Sequence, residues 1–263
     1  MRSNPARHSL LLTRKTPNSN LPLPHGSDCQ PLSSVSLAPF SFVAWLNMTE
    51  IIHLSQLPAN LLPALTDLHL ATMPTLLTEL GKPFVLRYYQ LAQADPTVIA
   101  LVARSTASHP LPSTALPPSS GENDLLGYCL GSPCPSSLTA RLRSPAAWFA
   151  KHILSATFSH PSVLLQLAQS TLFASKANTL QPGQIELTYI GVAPQARGYG
   201  LGTKLLTAFA ESAQKTGYTS IALSVETDNL PALALYAKFG FRITQTFTEG
   251  RYHRHRMEYR LGT

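Results

Sequence analysis

The sequence predicts a mixed α+β fold, with helices packed on a central sheet, and three observations predict it. An apolar strand from Ile185 to Val192 leads through a short glycine-rich loop into a helix whose apolar residues recur at Leu201, Leu205, Leu206 and Phe209. A second strand, turn and helix follow between Ser220 and Phe239, where Gly240 stops the helix. Phe241 to Phe247 and Arg256 to Leu261 then read as two closing strands.

The elements follow in order from the N-terminus. Residues 1–47 are rich in Ser, Pro, Asn and Leu, hold Arg2, Arg7, Arg14 and Lys15 near the start, and keep no period of 2 or 3.6. They read as a disordered extension or as a start placed too far upstream, and their composition is also compatible with organelle targeting. Residues 48–263 read as the folded domain. Ile51-Ile52-His53-Leu54 is a strand, Leu61 to Leu70 a first helix, and Met73 to Leu91 further helix interrupted around Gly81-Lys82-Pro83. Thr97 to Ala103 is a β-branched, apolar strand, and Asp124 to Leu130 pairs with it across a Pro/Ser-rich loop at 105–123. A helical insertion is expected at about 140–180, with Ala146 to Phe158 and Ser162 to Ala174 at helical spacing. Beyond the glycine loop, the helix should end near Gly217, and Asn229 is placed to cap a helix with Pro231 in its first turn.

The glycine loop favours an anionic ligand on physical grounds. Glycines at 198, 200 and 202 let the backbone approach a ligand closely, and the first N–H groups of the following helix have no partner within it. The helix dipole adds positive potential, and Arg197 adds a fork suited to phosphate oxygens. A P-loop is excluded because Thr203-Lys204 stands in the wrong order and spacing, and a dinucleotide fingerprint because Leu205 occupies the third glycine's place.

Arg197-Gly198-Tyr199-Gly200-Leu201-Gly202 instead resembles motif A of the GCN5-related N-acetyltransferases, the GNAT superfamily. In that family the pattern Arg/Gln-x-x-Gly-x-Gly/Ala closes the fourth strand and binds the pyrophosphate of acetyl-CoA. Gln195 to Gly200 also satisfies it, but the spacing from Val192 favours Arg197, Gly200 and Gly202. A second family motif, Asn-x-x-Ala-x-x-Leu-Tyr with a terminal Gly-Phe, is matched by Asn229, Ala232, Leu235, Tyr236, Gly240 and Phe241. The resemblance implies the GNAT fold: a central, mixed but mostly antiparallel twisted sheet of six or seven strands flanked by helices. The predicted insertion then adds extra helices between strands three and four, covering one side of the acceptor site or serving as a structural lid.

The resemblance also implies a chemistry: direct attack of a primary amine on acetyl-CoA in a ternary complex. Backbone groups of Ile190 and Val192 would pair with the pantetheine, and the N–H near Val192 would polarise the thioester carbonyl. Arg197, Gly198, Tyr199, Gly200, Leu201, Gly202 and Thr203 would cradle the phosphates, with Asn229 and Tyr236 completing the donor site. Tyr236 is the candidate general acid, since an ordinary phenol with a pKa of about 10 is protonated at neutral pH. Glu186 is the candidate base, at the place where histone-acetylating members carry theirs. Ribosomal-protein-acetylating members carry a glutamate five residues before the motif asparagine, where this chain has Ser224; Glu226 faces the same way. The expected acceptor is a small-molecule amine. Leu80 to Phe84 with Arg87-Tyr88-Tyr89 resembles a subset of bacterial members whose acceptors include amino sugars. The alternatives are acetylation of a protein N-terminus or lysine, and a non-catalytic acyl-CoA-binding module; a homodimer is left open.

Composition sets the remaining bounds. Charged residues make up 13% of the 263 residues and prolines number 22, so part of the chain falls outside a compact globule. The net charge is +7, yet residues 185–263 carry nine basic residues and six acids, an excess of only +3. The cluster Arg251-Tyr252-His253-Arg254-His255-Arg256 reads as a solvated loop, or as a rim attracting CoA phosphates or an acidic substrate; nucleic acid is not the expected partner. His53, His69, His253 and His255 have no motif position and read as structural or exposed. Cys29, Cys129 and Cys134 are odd in number and lack metal-like spacing, which points to a reducing compartment and no metal. No uncharged apolar run reaches the roughly 18 to 20 residues of a spanning helix, so no membrane role is expected and a cytoplasmic location is.

Overall fold

The computed structural model of the chain describes residues 49–106, 125–159, 180–249 and 252–262. The extension at 1–47, most of the loop at 105–123 and the helix expected at 162–174 lie outside the described residues. The elements are β1 (Thr49–His53), α1 (Leu62–Thr72), α2 (Leu76–Glu79), α3 (Lys82–Gln93), β2 (Ile99–Ser105) and β3 (Leu125–Ser132). After them come α4 (Pro135–Leu142), α5 (Ala146–Ser159), β4 (Gln184–Val192), α6 (Leu201–Lys215), β5 (Ser220–Glu226), α7 (Leu230–Phe239), β6 (Arg242–Glu249) and β7 (Tyr252–Arg260).

The seven strands form one sheet in the order β1-β2-β3-β4-β5-β7-β6. Every neighbouring pair is antiparallel except β4 and β5, which are parallel and joined through α6. This is a mixed, mostly antiparallel sheet of seven strands, as the sequence motifs imply.

Strand alternation distributes the core to both faces. On β2, Ile99, Leu101 and Ala103 join the cluster beneath α6 and α7, while Ala100 and Val102 join the cluster beneath α1 and α3. The strand reads as a continuous apolar run because both sides are covered. Gly131 on β3 permits this packing, since a Cβ there would come within 2.6 Å of the Glu186 carbonyl oxygen.

Local chemistry sets the helix ends. The α6 helix closes on Gly217 (φ 91°), with Tyr218 N–H donating to the Ala213 carbonyl at 3.0 Å and Gly217 N–H to the Gln214 carbonyl at 3.0 Å. The α7 helix closes in the same way on Gly240, whose φ is 113°. Gly81 (φ 94°) separates α2 from α3, the interruption read from the sequence.

Two elements depart from the sequence reading. The α4 helix was not anticipated, because its Pro-Ser-Ser start reads as loop; Leu138 and Leu142, one turn apart, bury it against the front helices. With α5 it packs on α3, where the Phe84 ring meets Trp148 at 5.1 Å and the Arg87 guanidinium lies 4.6 Å from the Trp148 ring centre. The last strand starts at Tyr252, not Arg256, so most of the presumed basic loop is strand. It sits between β5 and β6, and pairing on both edges holds a segment whose side chains are almost all polar.

A histidine is buried on the α1 face. His69 accepts or donates one hydrogen bond, Nδ1 to the Tyr89 hydroxyl at 2.9 Å, and stacks on Tyr128 with Tyr189 edge-on at 5.0 Å. Burial lowers its pKa from the usual 6.5 to about 4. Between those values the unfolded chain binds a proton that the native chain refuses, so stability is full above about pH 6.5 and is lost as pH falls toward about 4. The loss should reach ~3 kcal/mol. Urea unfolding between pH 7 and pH 4 should show this slope in the native chain and a flatter one in His69→Phe; equal slopes would contradict it.

Candidate active-site cleft

The cleft arises where the sheet comes apart. Strands β4 and β5 pair only over Gln184–Glu186 against Ser220–Ala222, and beyond that point they diverge. The opening is a cleft of about 440 Å³ lined by β4 from Glu186 to Val192, the end of β5, the start of α7 and the segment Thr72–Leu77.

A β-bulge on β4 sits at the point of divergence. Leu130 opposes Tyr189 and Gly131 opposes Leu187, which leaves Thr188 as the extra residue. The bulge reverses the alternation. Ile185, Leu187, Ile190 and Val192 therefore pack toward α6 and α7, whereas Tyr189 packs toward α1 and α3. Glu186 shares the face of Tyr189 and not that of Val192, although 186 and 192 have the same parity in the sequence.

Beyond the bulge the backbone directions are determined by β3. Ala193 N–H donates to the Leu126 carbonyl at 2.9 Å, so by antiparallel alternation Gly191 and Tyr189 turn their polar groups to β3. Ile190 and Val192 turn theirs into the opening. Arg197 Nε donates to the Val192 carbonyl at 3.1 Å, tying the glycine loop to the end of β4.

The loop leads directly into α6. Gly198 and Gly200 adopt φ of 82° and 73°, the left-handed region that favours glycine, and Gly200 is the helix N-cap. Lys204 N–H makes the first intrahelical bond, to the Gly200 carbonyl at 3.0 Å, so the N–H groups of Leu201, Gly202 and Thr203 precede the ladder. Gly202 lets α6 approach α7 closely: a Cβ there would lie 3.1 Å from Leu235, which would have to shift. Tyr199 and Thr203 are exposed beside this start.

On α7, the Asn229 side chain caps the helix by accepting from Ala232 N–H at 3.2 Å. Tyr236, two turns on, is buried and lines the cleft. Burial, and next the neighbouring Cys129 thiol, push its phenol well above the ordinary value, so it stays protonated.

The opposite face holds the charges. Arg256 on β7, 4% exposed, reaches across β5 to β4: its guanidinium lies 3.0 Å from one Glu186 oxygen and 3.4 Å from the other, and donates to Ser224 Oγ at 3.1 Å. Farther out, Arg254 and Glu226 face each other across β7 and β5 at 4.0 Å. Tyr189 lines the same cleft, its phenol pushed up to about 12 by burial, with Arg254 opposing and Glu186 adding to the shift.

Of the residues lining the cleft, the sequence reading named Glu186, Ile190, Val192, Asn229 and Tyr236 as site candidates. It read Arg254 and Arg256 as a solvated loop or an anion-attracting rim, and it did not name Tyr189. The alternation of basic residues at 252–256 was the available signal for a strand with two arginines on one face. Among the described residues, none of the insertion lines the cleft.

Comparison with known proteins bears on the same region. Residues 166–241 match the model of the Acetyltransferase (GNAT) family. An uncharacterized N-acetyltransferase of Schizosaccharomyces pombe is 36% identical over 66 residues, 25% of this chain and 40% of the relative. A mycothiol acetyltransferase of Clavibacter sepedonicus is 43% identical over 60 residues, 23% of this chain and 20% of the relative. The chain thus spans well under half the length of both. Among solved structures, the ribosomal-protein-S18-alanine N-acetyltransferase of Escherichia coli aligns with a TM-score of 0.47 at 15% identity, over 82% of this chain and 96% of that one.

Arg256→Met should leave a largely buried carboxylate without its cation, a loss of ~3 to 5 kcal/mol. Combining it with Glu186→Leu should recover most of that loss. Urea denaturation of the two single variants and the double variant measures the coupling, and additive losses would show that the pair does not act as a unit.

Proposed function

We propose that this chain, whose residues 166–241 belong to the acetyltransferase (GNAT) family, is an acetyl-CoA-dependent N-acetyltransferase acting on the primary amine of a small molecule. One observation carries the reading. The strand that borders the sheet opening turns two residues' backbone groups into it and runs straight into the glycine loop and the start of α6. The positive φ at Gly198 and Gly200 and the unladdered N–H groups beyond them fit a pyrophosphate. The volume of about 440 Å³ suits a small acceptor beside a pantetheine arm.

Bound acetyl-CoA would supply the activated thioester. The N–H groups of Leu201, Gly202 and Thr203, with Arg197, hold its phosphates. Ile190 and Val192 pair with the pantetheine as an added strand would, and the Val192 N–H faces the carbonyl oxygen on which negative charge develops. Glu186, kept in place by Arg256, takes a proton from the acceptor amine through water, and Tyr236 donates a proton to the departing sulfur. Asn229 sets the start of α7 and with it the position of Tyr236.

Calorimetry on the full chain should show acetyl-CoA binding. Gly200→Glu, which places a strained and anionic residue in the cradle, should weaken that binding at least ~10-fold. Tyr236→Phe should lower kcat by ~100-fold with little change in acetyl-CoA affinity, read as thiol release against a panel of amines. Absence of binding by the native chain would sink the proposal, and unchanged turnover in Tyr236→Phe would remove its acid role.

A further inference from the structure

Thr72, the last residue of α1, lines the cleft with its one hydroxyl hydrogen already committed. It donates to the Leu68 carbonyl at 2.7 Å, one helical turn back. The Tyr128 hydroxyl lies 3.2 Å from the same oxygen, and since Thr72 has no second hydrogen, Tyr128 is the donor in that contact. Tyr128 is buried, stacked on His69 at 5.5 Å and met edge-on by Tyr89 at 6.0 Å, so its ring is held in place. A hydroxyl oxygen accepts twice, and Tyr128 fills one of those positions. Toward anything in the cleft, Thr72 therefore acts as an acceptor only.

A glycine sets where this oxygen rests. Gly191 pairs with Tyr128 across β3 and β4, and a Cβ on it would lie 2.6 Å from Thr72 Oγ1 and 2.6 Å from the Tyr128 ring. The missing side chain lets the hydroxyl sit on β4 between Ile190 and Val192, the two residues whose backbone groups turn into the opening. It does so on the face that carries Tyr189, away from the glycine loop.

Resting on the acetyltransferase reading above, we infer that Thr72 binds the hydrogen that the acceptor nitrogen keeps, and so selects primary amines. A neutral primary amine carries two hydrogens on nitrogen. The nitrogen bonds to the thioester carbon, the carbon–sulfur bond breaks and the sulfur takes a proton. One nitrogen hydrogen leaves as a proton through water to Glu186, and the other remains in the product amide. The Thr72 oxygen accepts from this second N–H. The nitrogen gains positive charge as it attacks, so that hydrogen bond is stronger in the transition state than before it. A secondary amine has a single hydrogen, which the base removes, and its extra carbon would face an oxygen left without a donor. An alcohol or thiol likewise keeps no hydrogen for Thr72 to hold. Tyr128 is a positioning residue: it acts through Thr72.

The test measures acetylation of phenethylamine, 3-methylbutylamine, glucosamine and leucinamide by the full chain, each beside its N-methyl derivative, with acetyl-CoA calorimetry on the same preparation. The native chain should use the best primary amine at least ~10-fold better in kcat/KM than its N-methyl derivative. T72V, which keeps the shape and removes the oxygen, should lower kcat/KM for that primary amine ~10-fold, mostly through kcat, while the N-methyl value and acetyl-CoA affinity change less than ~2-fold. T72S should retain most of the native preference. T72V leaves the buried Tyr128 hydroxyl without its acceptor, so T72V/Y128F, which removes both groups, serves as the second variant, and melting curves establish that it folds. It should show the same reduced preference. Equal use of the two amine classes by the native chain, an unchanged preference in both variants, or equal losses on both amine classes would overturn the inference, while acetylation of any amine would leave the broader proposal standing. Acetyl-CoA binding without acetylation of any primary amine in the panel would overturn the inference and leave the donor site standing; absence of acetyl-CoA binding would overturn both.

Discussion

The sheet depends on a parallel pairing that is allowed to fail. Strands β4 and β5 hold together for three residues and then part. At the last paired residue of β4 the Arg256 guanidinium crosses from β7 to Ser224 on β5 and Glu186 on β4. A charge pair this buried returns little net stability over an apolar substitute, because desolvation offsets most of the attraction. It supplies direction: the fork orients the carboxylate at the point where the opening begins.

The bulge at Thr188 gives the opening its two-sided character. By reversing the alternation of β4, it directs Ile190 and Val192 toward α6 and α7 while leaving Glu186 and Tyr189 on the other face. Backbone groups released from β5 then point into the gap between the two faces. On the acetyltransferase reading proposed above, a donor at the helix start and an acceptor on the opposite face would meet there without competing for the same wall. The buried tyrosines and His69 behind Tyr189 keep that wall rigid, because each is packed against aromatic neighbours on several sides.

The legible parts of the protein are those where a local rule acts alone. Glycine at a left-handed position, asparagine capping α7, a Schellman turn at Gly217 and the apolar stripe of α6 all follow from chemistry within a few residues, and all stand where the sequence put them. The charged half of the cleft was poorly legible. Arg254 and Arg256 read as a solvated loop or an anion-attracting rim, and not as strand, because nothing in their own neighbourhood reveals that β5 lies on one edge and β6 on the other. The α4 helix was hidden for a related reason, its Pro-Ser-Ser start being decided against helix by propensity and for it by the burial of Leu138 and Leu142.

By itself, then, the sequence determined the strand, glycine loop and helix start, the cap and aromatic residue of the next helix, and the mixed character of the fold. These rest on backbone conformation and on contacts one helical turn apart. The tertiary structure alone decided which face Glu186 occupies, which arginine holds it and which charges line the cleft mouth. Those depend on a one-residue bulge and on a strand order in which β7 inserts beside β5, and the position of a residue along the chain carries no record of either.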